Sequence, residues 1–371
     1  MLLDEALVLR FDAPLSSTGE DVIELHCHGG RAVVSAILAV LSQIEGLREA
    51  RPGEFTRRAF ENGRIDLTEA EGLADLIEAE TEAQRRSAQM MAEGGLSARV
   101  GEWQARLLDL CARAEAAIDY VDEDSVDAAP DLSRDCAALA EELSEWADRP
   151  RAELLRDGVR VVIAGPPNAG KSSLLNALCG FERAIVTDIP GTTRDHVEVP
   201  LALDGLPIRL TDTAGLRDAE DPVEQIGVER SRQLLERADL LVWLGEPADA
   251  PSHARVIYVH AKADLAERRA APAGSLPVSS VSGEGLSALG DAIATAARAL
   301  LPAEGTMALN RRQAGCIAEA RDALQAASET DDLVLAAEFL RSARLAFDRV
   351  TGRAGVDDLL DVLFGRFCLG K

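Results

Sequence analysis

Residues 165–172 read Gly-Pro-Pro-Asn-Ala-Gly-Lys-Ser, a G-x-x-x-x-G-K-S spacing suited to holding a polyphosphate. The glycines let successive backbone N–H groups turn inward around a phosphate, and a helix starting there adds positive potential. Lys171 would reach the β- and γ-phosphates, and the Ser172 hydroxyl would ligate Mg²⁺. Asn168, Ala169, Gly170 and Ser173 complete the candidate nucleotide contacts. An accidental Gly/Pro-rich turn would need a strand before the loop and a helix after it by coincidence. The apolar run 159–164 supplies the strand and Ser-Leu-Leu-Asn-Ala-Leu-Cys at 173–179 the helix. The loop is read as a nucleoside-triphosphate site.

Further along, Gly191-Thr192-Thr193-Arg194-Asp195 and Asp212-Thr213-Ala214-Gly215 fit two switch loops. Asp212 can bind Mg²⁺ through water, Thr193 can be a second hydroxyl ligand, and Gly215 can meet a γ-phosphate. Many GTPases place a water-orienting Gln next, but here it is Leu216, so a polar group must come from elsewhere. Glu224 is the nearest candidate for that catalytic role. It reads equally well as an acidic residue in the first turn of the next helix. Ala261-Lys262-Ala263-Asp264 stands where Asn-Lys-x-Asp selects guanine. Asp264 can accept from guanine N1–H and its exocyclic amine, and Lys262 can lie along the base. Ala261 lacks the usual amide, which predicts guanine preference with weakened affinity. Ser279, Ser280 and Val281 fit the remaining base-contacting loop.

These groups need an α/β frame to hold them. Strand candidates are 159–164, 196–203, 207–211, 240–244, 256–260 and 276–278, with Asp204-Gly205 as a hairpin signal. The alternation with helices predicts a mostly parallel sheet with one antiparallel edge. Upstream, 21–26 alternates like a half-buried strand and 31–41 is apolar at helical spacing. Helical patterns follow over 67–77, 96–120 and 132–155, and resume over 307–327, 331–352 and 357–364. An acidic, turn-rich break at 119–130 reads as a helix-to-helix loop rather than a cation site. The expected architecture is an α/β P-loop GTPase domain inserted into an all-helical domain, preceded by a small α+β domain. The boundaries expected are 1–62, 63–156, 157–300 and 301–371.

The chain has 371 residues, enough for two or three domains, and a net charge of −25. That charge works against wrapping a nucleic acid over the whole surface. Arg48, Arg51, Arg57, Arg58 and Arg64 form a candidate basic patch, equally readable as a mixed surface with Glu49, Glu54 and Glu61. His26 and His28 would share one side of a strand with Cys27 opposite, a structural role rather than a metal site. Six cysteines without CxxC spacing suit reduced thiols in the cytoplasm. No run is long enough to cross a bilayer, and the N-terminus lacks a secretory pattern.

Gly-Glu-Asp-Val-Ile-Glu-Leu-His-Cys-His-Gly-Gly (19–30), Arg-Pro-Gly-Glu-Phe-Thr-Arg-Arg-Ala-Phe (51–60), Asp-Leu-Thr-Glu-Ala-Glu-Gly-Leu-Ala-Asp-Leu-Ile (66–77) and the terminal Phe-Cys-Leu-Gly-Lys (367–371) join the nucleotide motifs. With them the chain resembles, over nearly its whole length, the bacterial and organellar tRNA-modifying GTPases of the MnmE (TrmE) family. The resemblance implies a folate-binding N-terminal domain, with Glu24, Arg64 and Lys371 as folate contacts, and a homodimer. It implies a K⁺-stimulated, Mg²⁺-dependent GTPase that works with the flavoprotein MnmG on C5 of the wobble uridine of certain tRNAs. The one-carbon donor is 5-formyltetrahydrofolate or a related folate, and tRNA is met mainly through the partner. The K⁺ ligands map onto Asn168, Thr187, Ile189 and Thr192, and the water-orienting glutamate onto Glu224. Cys368 falls on the family's tail cysteine. Against the family pattern, the chain is expected to start inside the N-terminal domain, without its opening strands and a folate-contacting arginine. A ribosome-assembly GTPase and a degenerate nucleotide-binding scaffold are the competing readings.

Overall fold

The computed structural model describes residues 2–119, 128–150, 152–181, 184–186, 198–212, 233–265, 270–303, 305–354, 360, 363–365 and 367, with backbone alone at 128–131 and 184–186. In chain order, β1 (Leu7–Phe11), β2 (Val22–His26), α1 (Arg31–Leu41), α2 (Glu54–Glu61), α3 (Leu67–Glu78), α4 (Glu82–Ala92), α5 (Gly95–Asp119) and α6 (Ala128–Ala147) come first. Next are α7 (Ala152–Asp157), β3 (Val159–Ala164), α8 (Lys171–Cys179), β4 (Ala184–Val186), β5 (Glu198–Leu203), β6 (Leu206–Asp212), β7 (Leu240–Trp243), β8 (Val256–Ala261) and β9 (Leu276–Val278). The helices α9 (Leu286–Arg298), α10 (Arg311–Glu329) and α11 (Leu333–Thr351) follow. The chain divides into two units, one of residues 1–77, 89–147 and 315–371 and one of 78–88 and 148–314.

The second unit is built on a seven-stranded sheet of order β4-β5-β6-β3-β7-β8-β9. From β6 through β9 the strands are parallel, while β4 and β5 form the antiparallel edge. Central β3 reads Val-Arg-Val-Val-Ile-Ala, buried at every position except Arg160, as a strand with helices on both faces demands. Leu203 pairs with Leu206 across the predicted two-residue turn. Asp204 and Gly205 both take positive φ, 51° and 74°, the left-handed pair that fits a right-twisted hairpin.

The first unit carries the β1–β2 hairpin, antiparallel with Leu9 opposite Glu24, and a helical core. Trp103 of α5 is fully buried, edge-on to Trp146 and stacked on Phe347. Its indole N–H donates to Glu142 at 2.8 Å, which satisfies the polar end of a buried ring. Gln104 donates to Asp348 at 3.0 Å. Helices far apart in sequence thus build one core, as an insertion between them requires.

Four elements differ from the sequence reading. The helix expected over 132–155 is two helices, because Pro150 lacks an N–H and clashes with a continuing turn. The helix expected from 307 begins at Arg311, where Asn310 and Gln313 exchange side-chain and backbone hydrogen bonds at 2.9 and 3.1 Å. The strands β1 and β4 carry no periodic signal long enough to stand out. Of the helix expected over 357–364, Leu360, Leu363 and Phe364 are described, helical and buried against Leu67, Ala70 and Ala74, while 357–359, 361–362 and most of the acidic break lie outside the described residues.

Candidate functional site

Strand β3 delivers the chain to the phosphate loop, and local backbone geometry explains its residue types. Gly165 has φ 156°, and a Cβ there would sit 3.0 Å from Leu244 Cβ and 3.2 Å from its carbonyl carbon. That close approach continues the sheet, since the Leu244 N–H donates to Ala164 at 2.8 Å. Gly170, at φ 97°, precedes the first turn of α8. Asn168 takes φ 61°, a left-handed conformation that asparagine tolerates better than most side chains.

Lys171 opens α8 at 8% exposure. Its ammonium folds back over the loop and donates to the Gly165 and Pro166 carbonyls at 3.1 and 3.0 Å. These two carbonyls help hold the cation above the cradle, where phosphate oxygens can take it by a stronger, charge-assisted bond. One residue on, the Ser172 hydroxyl donates to Asp212 Oδ2 at 2.5 Å. Asp212 closes β6, in register with Ile163 of β3, and is 5% exposed. A hydroxyl and a buried carboxylate at this separation are hard oxygen donors, which fit one small divalent cation such as Mg²⁺.

A second loop reaches the first. Lys262, at φ 60°, donates from Nζ to the Asn168 carbonyl at 2.8 Å. This bridges the base loop to the phosphate loop. Ala261 ends β8 at 5% exposure, and the Ala263 N–H donates to the Val278 carbonyl at 3.1 Å. Asp264 is exposed beside them. Ser279 is fully buried, and its hydroxyl accepts from the N–H groups of Val281 and Ser282 at 3.2 and 3.1 Å. That side chain serves its own turn, leaving Ser280 and Val281, the latter 88% exposed, on the outer side of the loop.

The structure thus brings Asn168, Ala169, Gly170, Lys171, Ser172, Ser173, Asp212, Lys262 and Asp264 to the loops at the C-terminal ends of β3, β6 and β8. Thr187, Ile189, Thr192, Thr193, Thr213, Ala214, Gly215, Glu224, Cys368 and Lys371 lie outside the described residues. Of the expected K⁺ ligands, only Asn168 is therefore described. The lysine-to-carbonyl and lysine-to-loop bonds were not legible in the sequence. The non-glycine left-handed positions at Asn168 and Lys262 are the nearest local signal.

In the first unit, Glu24 accepts from His26 at 2.8 Å, and the Arg64 stem lies against Gly19, 3.1 Å from a Cβ built there. His28 pairs with Asp4 at 2.8 Å. No group of three metal-ligating side chains occurs among the described residues. The candidate basic patch is largely neutralised. Arg48 grips Glu54 with two bonds of 2.8 and 2.6 Å, Arg57 pairs with Glu61, and Arg58 with Glu20. Burial pushes the Cys136 thiol up to about 11, which makes it a poor nucleophile. Among the described residues no helix is long and apolar enough to cross a membrane.

Residues 67–368 match the model described as "MnmE helical domain", and residues 1–64 match "GTP-binding protein TrmE N-terminus". A protein from Erythrobacter litoralis named "tRNA modification GTPase MnmE" is 54% identical over 371 residues, covering 100% of this chain and 87% of its own. One of the same name from Sphingopyxis alaskensis is 53% identical over 383 residues, covering 100% and 91%. Among solved structures, the G domain of the T. maritima FeoB iron transporter is 28% identical, covering 38% of this chain and 98% of that one. The TM-score of that likeness is 0.27. A GTPase-type α/β domain inserted into a helical domain, after a small α+β domain, is the fold. With both family models matched along most of its length and relatives above half identity, the chain belongs to the MnmE (TrmE) family of tRNA modification GTPases.

Proposed function

We propose that this chain hydrolyses GTP under K⁺ stimulation and, with the flavoprotein MnmG, modifies C5 of the wobble uridine of certain tRNAs. The one-carbon unit comes from 5-formyltetrahydrofolate or a related folate, held by Glu24, Arg64 and Lys371. The working form is a cytoplasmic homodimer, and tRNA is engaged mainly through the partner, since a net charge of −25 opposes direct wrapping. The observation that carries the reading is the phosphate loop itself, with Lys171 poised on two carbonyls and Ser172 on Asp212.

In this reading the backbone N–H groups of 168–173 receive the β-phosphate. Lys171 leaves its two carbonyls for the β- and γ-phosphate oxygens. The Ser172 hydroxyl and the Asp212 carboxylate are the groups that would hold Mg²⁺. Mg²⁺ and K⁺, when bound, supply positive charge against the charge that develops on the phosphates. Glu224 orients the attacking water, a duty Leu216 cannot perform. Asp264 accepts from guanine, and Lys262 keeps the base loop against Asn168.

The test is single-turnover hydrolysis by the full chain in KCl and in NaCl. Faster turnover in K⁺, abolished by Lys171→Ala and reduced about 10²-fold or more by Glu224→Ala, is expected. Equal rates in both salts, with Glu224→Ala matching the parent, would overturn the mechanism.

A further inference from the structure

A cavity of about 470 Å³ opens on the sheet of the second unit, lined by Arg160, Val162, Glu198, Arg209, Thr211, Gln233, Leu234 and Arg237. Its floor is set by strand register. Arg160 of β3 and Arg209 of β6 are direct partners, as are Val162 and Thr211, and Glu198 of β5 lies opposite Thr211. Its wall is a helical stretch at 233–237. Thr211 lines the cavity and its neighbour Asp212 accepts from Ser172; alternation along β6 sends these two side chains to opposite faces of the sheet, so the cavity and the phosphate loop lie on different faces.

Three arginines and one glutamate line the cavity, and the Asp239 carboxylate accepts from the Arg160 backbone N–H at 2.9 Å. Like charges directly opposite on neighbouring strands repel, yet Arg160 and Arg209 sit in that relation in a protein of net charge −25. Relief inside the molecule is slight. Arg209 reaches Glu198 only at 3.6 Å, and among the described residues Arg160 and Arg237 make no ion pair. Arginines lining one space suit oxyanions, whose planar, bidentate geometry a guanidinium fork matches. Val162 and Leu234 add a small apolar surface that can cover the rest of a compact ligand.

We propose that this cavity binds a small oxyanion-bearing ligand, carrying carboxylate or phosphate groups, held by Arg160, Arg209 and Arg237. The site is independent of the reaction proposed above. It is nonetheless joined mechanically to the nucleotide loops, because β6 carries Arg209 and Thr211 into the cavity and ends in Asp212 against Ser172.

The experiment uses the full chain loaded with GDP, so that the phosphate loop is filled. Inorganic phosphate and propane-1,2,3-tricarboxylate are titrated separately at constant ionic strength and read by arginine Nε–Hε shifts. Saturable binding of either probe is expected, weakened about tenfold by Arg209→Gln or Arg237→Gln, the worth of one charge-assisted bond. The exposed Arg298→Gln should bind as the parent does. Phosphate saturating alone identifies a phosphate-bearing ligand, and the tricarboxylate alone a carboxylate. Arg237 lies on an exposed helical turn, so its variant keeps the test open should Arg209→Gln unfold. Absence of saturation by both probes, or equal binding by parent and Arg237→Gln, would refute the site.

Discussion

Replacing Ala261 by asparagine is expected to tighten guanine nucleotide binding. The residue ends β8 at 5% exposure, next to Lys262, whose ammonium already bridges to Asn168 at 2.8 Å. An amide at this point would lie between the base loop and the phosphate loop, with a donor and an acceptor that alanine lacks. One added neutral hydrogen bond is worth about 0.5–1.5 kcal/mol, which corresponds to an affinity gain of about 2- to 13-fold at 25 °C. Competition against a fluorescent guanine nucleotide measures the effect, with ADP as a second competitor. A bond to guanine raises GDP affinity alone, whereas a bond to the phosphate loop raises both. Thermal melting separates a crowding artefact, because Ala261 is buried and overpacking would lower the melting temperature. A folded Ala261→Asn protein with parental GDP and ADP affinities would refute the reasoning.

Two stability predictions follow from packing and charge. The Arg48 guanidinium, with help from the Arg51 N–H, holds the Glu54 carboxyl down at about 2 from an ordinary 4.5. A depressed carboxyl contributes stability above its ordinary value and loses it as pH falls through the folded one. The urea-midpoint gap between parent and Arg48→Gln is thus expected to be steady above pH 4.5 and to close toward pH 2. With Arg48 mostly exposed, solvent screening keeps the gap small, and a gap that widened on acidification would contradict this. A Cβ on Gly72 would fall 2.5 Å from the Ala92 nitrogen and 2.7 Å from Met91 Cβ. Gly72→Ala is expected to cost about 1–3 kcal/mol by overpacking, and an unchanged melting temperature would exclude such close contact between α3 and α4.

Much of the second unit is legible in local sequence because its signals are local. The apolar run 159–164, the Asp204-Gly205 turn and the Gly-Lys-Ser start of α8 each contain their own physical cause. Helix α11 is similar, since Asp332 caps it by accepting from the N–H groups of Val334 and Leu335 at 2.9 and 3.2 Å. What escapes sequence reading depends on partners far along the chain. The β1 strand has meaning only opposite β2, and the Ser279 hydroxyl closing its own turn is visible only in three dimensions. Arg160 reads as an ordinary strand residue until register sets Arg209 beside it. Within the site, residue types announce the chemistry, while the resting partners of Lys171 and Lys262 emerge only from three dimensions.

The entry and exit of the second unit are stitched together. The Ala152 N–H donates to the Leu309 carbonyl at 2.9 Å, and the Arg311 N–H donates to Glu153 at 2.6 Å. For the helices that precede and follow, the long excursion through the sheet therefore returns almost to its point of departure. Its entropic burden on them resembles that of a short connector, since closure cost depends on the span between anchors and grows only logarithmically with slack. The same clasp means that the excised stretch would have neighbouring ends, the condition under which a chain can be cut elsewhere and rejoined there without loss of its architecture.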